Sequence, residues 1–395
     1  MPTMKTSFQI RDIPFGAMGG VYEQDDVEAA IKVISRAAGP GGDFFPLPEE
    51  TDFQKALAVH EGAKKAVVVN SCGTALDLCM MALDLKPGDE AITTPLTFIC
   101  TASCVIARGA KVVFADIDPH TLNLDVKDVR RRITDKTKVI IPVHFAGLAA
   151  DMDEFDTMTA DTGIPVVYDA AHAVSAKYKG KPIGGRGKAS CYSFQSNKNM
   201  TTLGEGGAVT TNDETFAEIV RQKKTFGYIY DKKLSIASIG FNYRMTKPQC
   251  AVGLTQLAKI DRIIAKRVEI GQYLDKSLEG IDEIIRPAGI APGHACHLYV
   301  ARLDTDKVPF DRTAFLEVLK NRYRVGCGNH YPAVWSWDAM TKLGYSEENA
   351  NCPIAATACR QVFSLPLFPH TTTDDCDYIA WAIKQSLVEA VHRSR

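Results

Sequence analysis

The chain has 395 residues, which at about 100–200 residues per domain suggests two or three domains. Hydrophobic residues make up 46% and charged residues 24%, a balance that argues against disorder, and the net charge of −1 argues against a nucleic-acid-binding surface. Because no apolar run approaches the about 18–20 residues that span a bilayer, and residues 1–11 lack the apolar core of a secretory signal, we expect a cytoplasmic protein without a membrane partner.

Helical and strand patterns alternate between about residues 25 and 225. Asp25 or Asp26 can cap a first helix, which carries four apolar residues on one face: Val27, Ala30, Ile31 and Ile34. A second helix begins near Thr51 and turns Phe53 and Leu57 inward. Buried strands are predicted at 66–69, 91–93, 111–115, 138–143 and 164–168, with helices at 73–85 and 99–108. Continuous apolar strands separated by helices indicate an α/β domain, whose mostly parallel sheet is covered on both faces.

The pattern changes after about residue 245. One long helix is predicted over 247–278, then a strand at 297–300, a helix at 312–322 and a last helix at 378–391. This order is typical of a smaller α+β domain. We therefore expect a large domain over residues 1–250 and a small one over 251–395, with the N-terminal segment packing on the small domain.

The 11 cysteines include no CxxC pair, which favours reduced thiols in a cytosol. Cys100 and Cys104 could share a helix face, and His294, Cys296 and His297 lie close together in the chain. Packing explains both groups more readily than metal binding does, so no metal site is expected.

The segment 70–76, Asn-Ser-Cys-Gly-Thr-Ala-Leu, joins a buried strand to a helix through small residues. Backbone amides at that helix start, together with the Thr74 hydroxyl, can bind an anion such as a phosphate. The spacing of a P-loop is absent, and a tight turn explains Gly73 equally well.

Asp169 stands at the carboxyl end of a buried strand, where ligands bind in open α/β sheets. A carboxylate is costly there unless a cation meets it, so Asp169 is a candidate partner for a protonated ring nitrogen. A helix N-cap is the alternative.

Lys198 lies in a polar turn between Ser193 and the glycine-rich run 204–207. A lysine alone is usually a solvated surface residue. A phosphate-type turn, a strand-end aspartate and a lysine held in such a loop are together the parts that a pyridoxal-phosphate Schiff base needs.

These motifs resemble those of the DegT/DnrJ/EryC1/StrS aminotransferases, which have the fold of the type I pyridoxal-phosphate enzymes. The resemblance covers nearly the whole chain and is carried by the segments 71–76, 95–98, 169–172, 193–198, 204–207, 240–245, 330–332 and 364–369. It implies a seven-stranded-type sheet in the large domain and pyridoxal 5′-phosphate as cofactor. One departure is Tyr168, where acidic or aliphatic residues are frequent.

The resemblance also implies roles for individual residues. Lys198 would form the Schiff base and Asp169 would face the ring nitrogen. Phosphate contacts, ring stacking and the contact near O3′ fall to Gly73, Thr74, Ser193, Phe98 and His172, and substrate contacts to His330 and Tyr331. Simpler readings stay open: core packing for Phe98, capping for His172, and loop packing for His330 and Tyr331.

The implied reaction moves an amino group from glutamate or glutamine to a keto-sugar, often nucleotide-linked, or to a keto-cyclitol. The implied assembly is a homodimer in which Asn242 reaches the partner's phosphate and an interface buries Phe241 and Met245, although an intrachain turn would also explain Asn242. Two alternatives are another fold-type I reaction (an aldolase, or a desulfurase that would use Cys327) and a non-catalytic regulator. The presence of both Lys198 and Asp169 argues against the regulator.

Overall fold

The structure is a computed structural model that describes residues 8–16, 21–42, 44, 47–230 and 234–393. Its helices are α1 Gln24–Ala37, α2 Glu49–His60, α3 Cys72–Ala82, α4 Cys100–Ile106, α5 Val126–Arg132, α6 Met152–Thr162, α7 Glu214–Lys224, α8 Lys247–Ser277, α9 Arg312–Tyr323, α10 Asp338–Lys342, α11 Glu347–Ala350, α12 Pro353–Gln361 and α13 Thr373–Arg393. Its strands are β1 Lys65–Val69, β2 Glu90–Thr93, β3 Lys111–Phe114, β4 Thr137–Ile141, β5 Val167–Asp169, β6 Lys177–Tyr178, β7 Lys181–Pro182, β8 Ala189–Ser193, β9 Gly207–Thr211, β10 Tyr228–Tyr230, β11 Leu234–Ile236, β12 Ile284–Ile285, β13 Tyr299–Leu303 and β14 Val362–Leu365.

A seven-stranded sheet organises the first half of the chain. The ladders β1-β9-β8-β5 and β3-β2-β4 are joined by parallel bridges from Ile140 to Val166 and from Val143 to Asp169. Only β9 runs antiparallel to its neighbours in this sheet, as the described ladders show. The predicted fold class is confirmed. The strands are buried almost throughout because helices cover both faces.

The predicted elements are present, with ends that shift by a few residues. Helix α2 buries Phe53 and Leu57 completely, as expected. Helix α8 runs unbroken from Lys247 to Ser277. The structure differs at α1, where the predicted apolar face is largely solvent-exposed. Val27, Ile31 and Ile34 are 47%, 55% and 53% exposed.

The buried side of α1 carries a charge instead of the apolar face. Asp26 accepts a hydrogen bond of 2.8 Å from the ammonium of Lys259 on α8, and both side chains are buried. Periodicity therefore identified the helix but not the face that packs, because the buried face combines this ion pair with Val33.

A smaller unit follows, built on the antiparallel sheet β12-β13-β14 and helices α9 and α13. The N-terminal segment (residues 8–16) packs on this unit. Ile13 forms a parallel bridge with Val325, and the Arg11 guanidinium bonds to the backbone carbonyl of Asp374 at 2.8 Å. The division of the chain at residue 250 stays a prediction. None of the helices in the described ranges is long and apolar enough to cross a bilayer.

Candidate active site

The N-terminus of α3 forms one end of a cavity of about 610 Å³. Ser71 caps this helix, since its hydroxyl accepts from the Thr74 amide at 3.1 Å. The first helical amides, those of Cys72 and Gly73, have no partner within the helix, and both residues line the cavity. Unpaired amides at the positive end of a helix dipole suit a phosphate.

Asp169 ends β5 and lines the same cavity, with only 2% of its surface exposed. The Thr101 hydroxyl donates to one carboxylate oxygen at 2.7 Å, and the Ala171 amide donates to the other at 3.0 Å. Burial raises the pKa of Asp169, and these hydrogen bonds partly oppose that rise. No described cation forms an ion pair with it, so a cationic ligand would stabilise its charged form.

Lys198 follows β8 on the turn predicted for it. Its backbone amide donates to the carbonyl of Gln195 at 2.8 Å, while its ammonium has no hydrogen-bond partner among the described residues. Burial lowers the pKa of Lys198, although Cys72 and Asp169 oppose the shift. A lowered pKa favours the neutral amine, which is the form that acts as nucleophile or base.

Three histidines and a tyrosine also line the cavity. His172 Nε2 lies 3.0 Å from the Tyr331 hydroxyl, and its ring centroid is 4.5 Å from that of His297. Burial lowers the pKa of His172 and His297, and lowers that of His330 to about 4. Neutral rings near Lys198 avoid repulsion with its ammonium. His172 Nδ1 is buried without a partner, so the site retains an unused polar atom for a ligand.

The structure brings most of the predicted site residues to this one cavity: Gly73, Phe98, Asp169, His172, Ser193, Lys198, His330 and Tyr331. Thr74 lies just outside the lining, where its hydroxyl bonds to Asn70 Oδ1 at 2.7 Å and caps the helix. The phosphate role of Thr74 stays a prediction, as do the roles of the other residues.

Asn242 is exposed and does not line this chain's own cavity. Its side-chain oxygen accepts from Arg244 Nε at 2.9 Å, and its backbone bridges to Thr225. Phe241 is 40% exposed, as an interface residue would be. Met245 is fully buried within the chain, so the expectation that an interface buries it is wrong. Met245 packs in the core of its own chain. Its methyl group would lie 2.9 Å from a Cβ added at Gly206.

Sequence reasoning missed several residues at the site. Phe15 and His297 line the cavity, and Thr101 holds Asp169. Gln195, Asn197 and Glu205 line it as well, and these three lie in the segments 193–198 and 204–207 that carry the resemblance. Asn199 follows Lys198 and joins two segments, since its amide donates to the Ala295 carbonyl at 2.7 Å. Asn199 could be recognised from the sequence only as the neighbour of Lys198. The other contacts depend on tertiary structure.

The two cysteine and histidine groups weighed as metal sites have other contacts. His294 Nδ1 accepts from the Cys296 amide at 2.8 Å, and Cys104 Sγ lies 3.4 Å from the Thr101 carbonyl. Within the described ranges there is no cluster of three or more His, Cys, Asp or Glu side chains that could hold a metal.

Comparison with known proteins matches residues 27–384 to the sequence profile of the DegT/DnrJ/EryC1/StrS aminotransferase family. The spore coat polysaccharide biosynthesis protein SpsC of Bacillus subtilis is 38% identical over 349 residues, which cover 85% of this chain and 89% of SpsC. Among solved structures, DesV of S. venezuelae in complex with a ketimine intermediate is 30% identical with a TM-score of 0.83, covering 91% of this chain and 93% of DesV. The structure of 3-amino-5-hydroxybenzoic acid synthase is 28% identical with a TM-score of 0.86, covering 94% and 98%.

Proposed function

The chain belongs to the DegT/DnrJ/EryC1/StrS aminotransferase family, and we propose that it moves the amino group of glutamate or glutamine to a keto-sugar or keto-cyclitol. It is a pyridoxal-phosphate-dependent transaminase, as the family match implies. The observation that supports the proposal is a single cavity lined by Lys198, Asp169, His330 and Tyr331.

The residues present fit the cofactor. The free amides of Cys72 and Gly73, with Ser193, would hold its phosphate. Asp169 would keep a proton on its ring nitrogen, and the unpartnered His172 Nδ1 is available to its polar substituents. When bound, pyridoxal phosphate supplies an electron-withdrawing ring that stabilises the carbanion left when an amino acid loses its α-proton.

Lys198 would carry the proton. Its lowered pKa favours the neutral amine, and a neutral Nζ can take the α-proton of the donor and return a proton in the acceptor half of the cycle. Asp169 would contribute from the same cavity by keeping the ring nitrogen protonated, the state in which the ring accepts electrons.

The polar residues at the cavity suit a hydroxylated acceptor. Gln195, Asn197 and Glu205 line it together with the aromatic rings of Phe98 and Tyr331. Sites with a few polar groups among aromatic side chains orient a ligand through hydrogen bonds while burying its apolar faces. SpsC acts in polysaccharide biosynthesis by its name, which supports a sugar as acceptor.

We also propose a homodimer with shared sites. Asn242 is exposed and outside its own cavity, and apolar side chains are exposed near it. Ile236, Ile239 and Phe241 are 63%, 78% and 40% exposed. An exposed apolar group of this kind is typical of a protein interface.

The proposed reaction is tested by cofactor absorbance. The purified protein should be yellow, its visible band should fade with glutamate or glutamine, and one member of a panel of keto-sugars and keto-cyclitols should restore it. A band that no amino acid changes would contradict the proposal.

No observation favours the desulfurase alternative. Burial raises the pKa of the Cys327 thiol to about 12, which makes it a poor nucleophile. Its segment is also fixed, because Val325 pairs with Ile13 and Gly328 pairs with Ser364 of β14.

A further inference from the structure

The N-terminal segment brings an aromatic ring to the cavity from the start of the chain. Phe15 lines the cavity and is partly buried. Its ring centroid lies 5.7 Å from that of His330 and 6.5 Å from that of Phe368. The segment that carries it is separated from Lys198 by about half of the chain's length, so no local sequence pattern connects the two.

Backbone pairing fixes the position of Phe15. The Ile13 amide donates to the Arg324 carbonyl at 2.9 Å, and the Gly326 amide donates to the Ile13 carbonyl at 2.9 Å. Nearer the N-terminus, the Arg11 guanidinium lies 2.8 Å from Asp374 and 3.0 Å from Asp375. These contacts hold the segment against the smaller unit.

Two glycines make room for the ring. A Cβ on Gly326 would lie 2.5 Å from the Phe15 amide nitrogen, and a Cβ on Gly328 would lie 2.6 Å from the ring carbon Cε1. Both distances are shorter than real Cβ atoms allow, so glycine is needed at both positions for Phe15 to lie where it does. This gives the Gly-Cys-Gly run of residues 326–328 a structural reason that does not involve the thiol.

We propose that Phe15 is a specificity-determining residue that contacts the acceptor ring and not the amino-acid donor. The proposal rests on the proposed function, since it concerns the second substrate of that reaction. Phe15 packs against His330 and lines the cavity that Lys198 also lines, so its phenyl ring is open to a bound substrate.

The chemistry of a phenyl face matches a cyclic acceptor. The ring of a hexose or a cyclitol presents a C–H face that packs on an aromatic ring while its hydroxyl groups reach Gln195, Asn197 and Glu205. Glutamate is smaller and charged at both ends, so it gains little from packing on an apolar ring.

The test separates the two half-reactions in the cofactor-loaded enzyme. The donor half is followed as loss of the visible band with glutamate. The acceptor half is followed as its return when the aminated enzyme meets a nucleotide-linked 4-keto-6-deoxyhexose or 2-keto-myo-inositol. Calorimetry of the same ketones with the pyridoxal form of the enzyme, which carries no amino group to transfer, gives their affinity without turnover.

We expect Phe15→Leu to lower kcat/KM of the acceptor half by about tenfold, and Phe15→Ala by more, with ketone affinity falling in parallel. The kcat/KM of the donor half-reaction should stay within about twofold of the wild-type value. Phe8→Leu is the matched control, because Phe8 lies on the same segment but packs on Tyr378 and Trp381, away from the cavity. It should leave both halves within about twofold of the wild type.

The outcomes are distinguishable. Equal losses in both half-reactions, or the same losses in Phe8→Leu, would show that the segment only supports the fold and would overturn the inference. Unchanged acceptor rates in Phe15→Ala would overturn it as well. A wild-type enzyme that reacts with glutamate but with no ketone of either class would contradict the proposed acceptor, and the role of Phe15 with it.

Discussion

At the scale of single residues, Asp169 holds its position through neutral donors, the Thr101 hydroxyl and the Ala171 amide. This arrangement orients the carboxylate without neutralising it. Its negative charge is therefore available to a ligand. The proposed role of Asp169 depends on this charge and not on the shape of the side chain.

Asp169→Asn should keep the fold and lower transamination by about 100-fold or more, because an amide cannot hold the ring nitrogen protonated. The matched control is Asp77→Asn, which changes another buried carboxylate that lies outside the cavity and pairs with Arg108. Steady-state rates measure transamination by both variants, and circular dichroism checks that both keep the fold. Near-normal turnover in Asp169→Asn would show that the carboxylate is only structural.

Residues whose role depends on a local motif could be predicted from the sequence. Lys198, Asp169 and Gly73 each belong to a short segment with its own chemical pattern, and all three line the cavity. Phe15 and His297 could not be predicted, because each reaches the site through pairing of distant segments. Neither has a local pattern that differs from ordinary strand residues.

At the scale of elements, β9 and the start of α3 meet through a glycine. A Cβ on Gly207 would lie 2.6 Å from the Cys72 amide nitrogen, in the turn that leaves the α3 amides free. Gly207→Ala must therefore displace that turn. We expect a loss of about 2 kcal/mol or more in the free energy of unfolding and weaker cofactor binding.

Gly73→Ala is the comparison for that change, since its Cβ would meet its nearest neighbours at 3.8 Å, an ordinary contact distance. It should leave the free energy of unfolding within about 0.5 kcal/mol. Denaturant titration measures the free energy of unfolding, and fluorescence titration with pyridoxal phosphate measures cofactor binding. Equal stabilities for the two variants would contradict the packing argument.

A buried carboxyl links α2 to β8. Glu61 accepts from the Tyr192 hydroxyl at 2.9 Å and from the Ser175 amide at 2.9 Å, and burial raises its pKa to about 7 from 4.5. Between these two values the folded state keeps a proton that the unfolded state releases. The contribution of Glu61 to stability therefore falls as pH rises from 4.5 to 7, by about 3 kcal/mol in total, and is constant above.

Glu61→Gln removes this dependence. His60, whose pKa is lowered by burial, and Asp261 next to Ser175 are present in both proteins, so their effects largely cancel in the difference. Denaturant titrations at pH 5 and pH 8 should show the variant gaining about 2.5 kcal/mol relative to the wild type at the higher pH. A difference that does not change with pH would show that Glu61 titrates normally.

The positions of the elements could be predicted from the sequence, but not every face on which they pack. The positions of the strands along the chain follow from their apolar runs, and the prediction of α2 turned Phe53 and Leu57 inward, where both are fully buried. The face of α1 was not predictable, because it depends on the pairing of Asp26 with Lys259, which lies more than 200 residues away. Charge pairing of this kind leaves no periodic pattern in either segment.

At the scale of the whole molecule, the proposed dimer gives Asn242 its role. Lys198→Ala and Asn242→Ala subunits should each form homodimers of low activity. Mixed dimers of a shared site would combine both lesions in one pocket and leave the other pocket intact. Activity should therefore return on mixing, measured after co-purification with two different affinity tags.

If each pocket were built from one chain, every pocket in the mixed dimer would carry one lesion, and mixing would restore nothing. A matched control pairs Lys198→Ala with Asp169→Asn. Both residues lie in the same cavity of one chain, so no mixture of these two variants should recover activity.

The central claim is that this chain is a pyridoxal-phosphate transaminase whose reactive lysine is Lys198, and borohydride reduction tests it most directly. Reduction of the purified, cofactor-loaded enzyme fixes the cofactor to the lysine that holds it, and peptide mass mapping identifies that lysine. The adduct should lie on the peptide that contains Lys198. An adduct on Lys188, which lies 2.6 Å from Asp213 outside the cavity, or on Lys177 would contradict it.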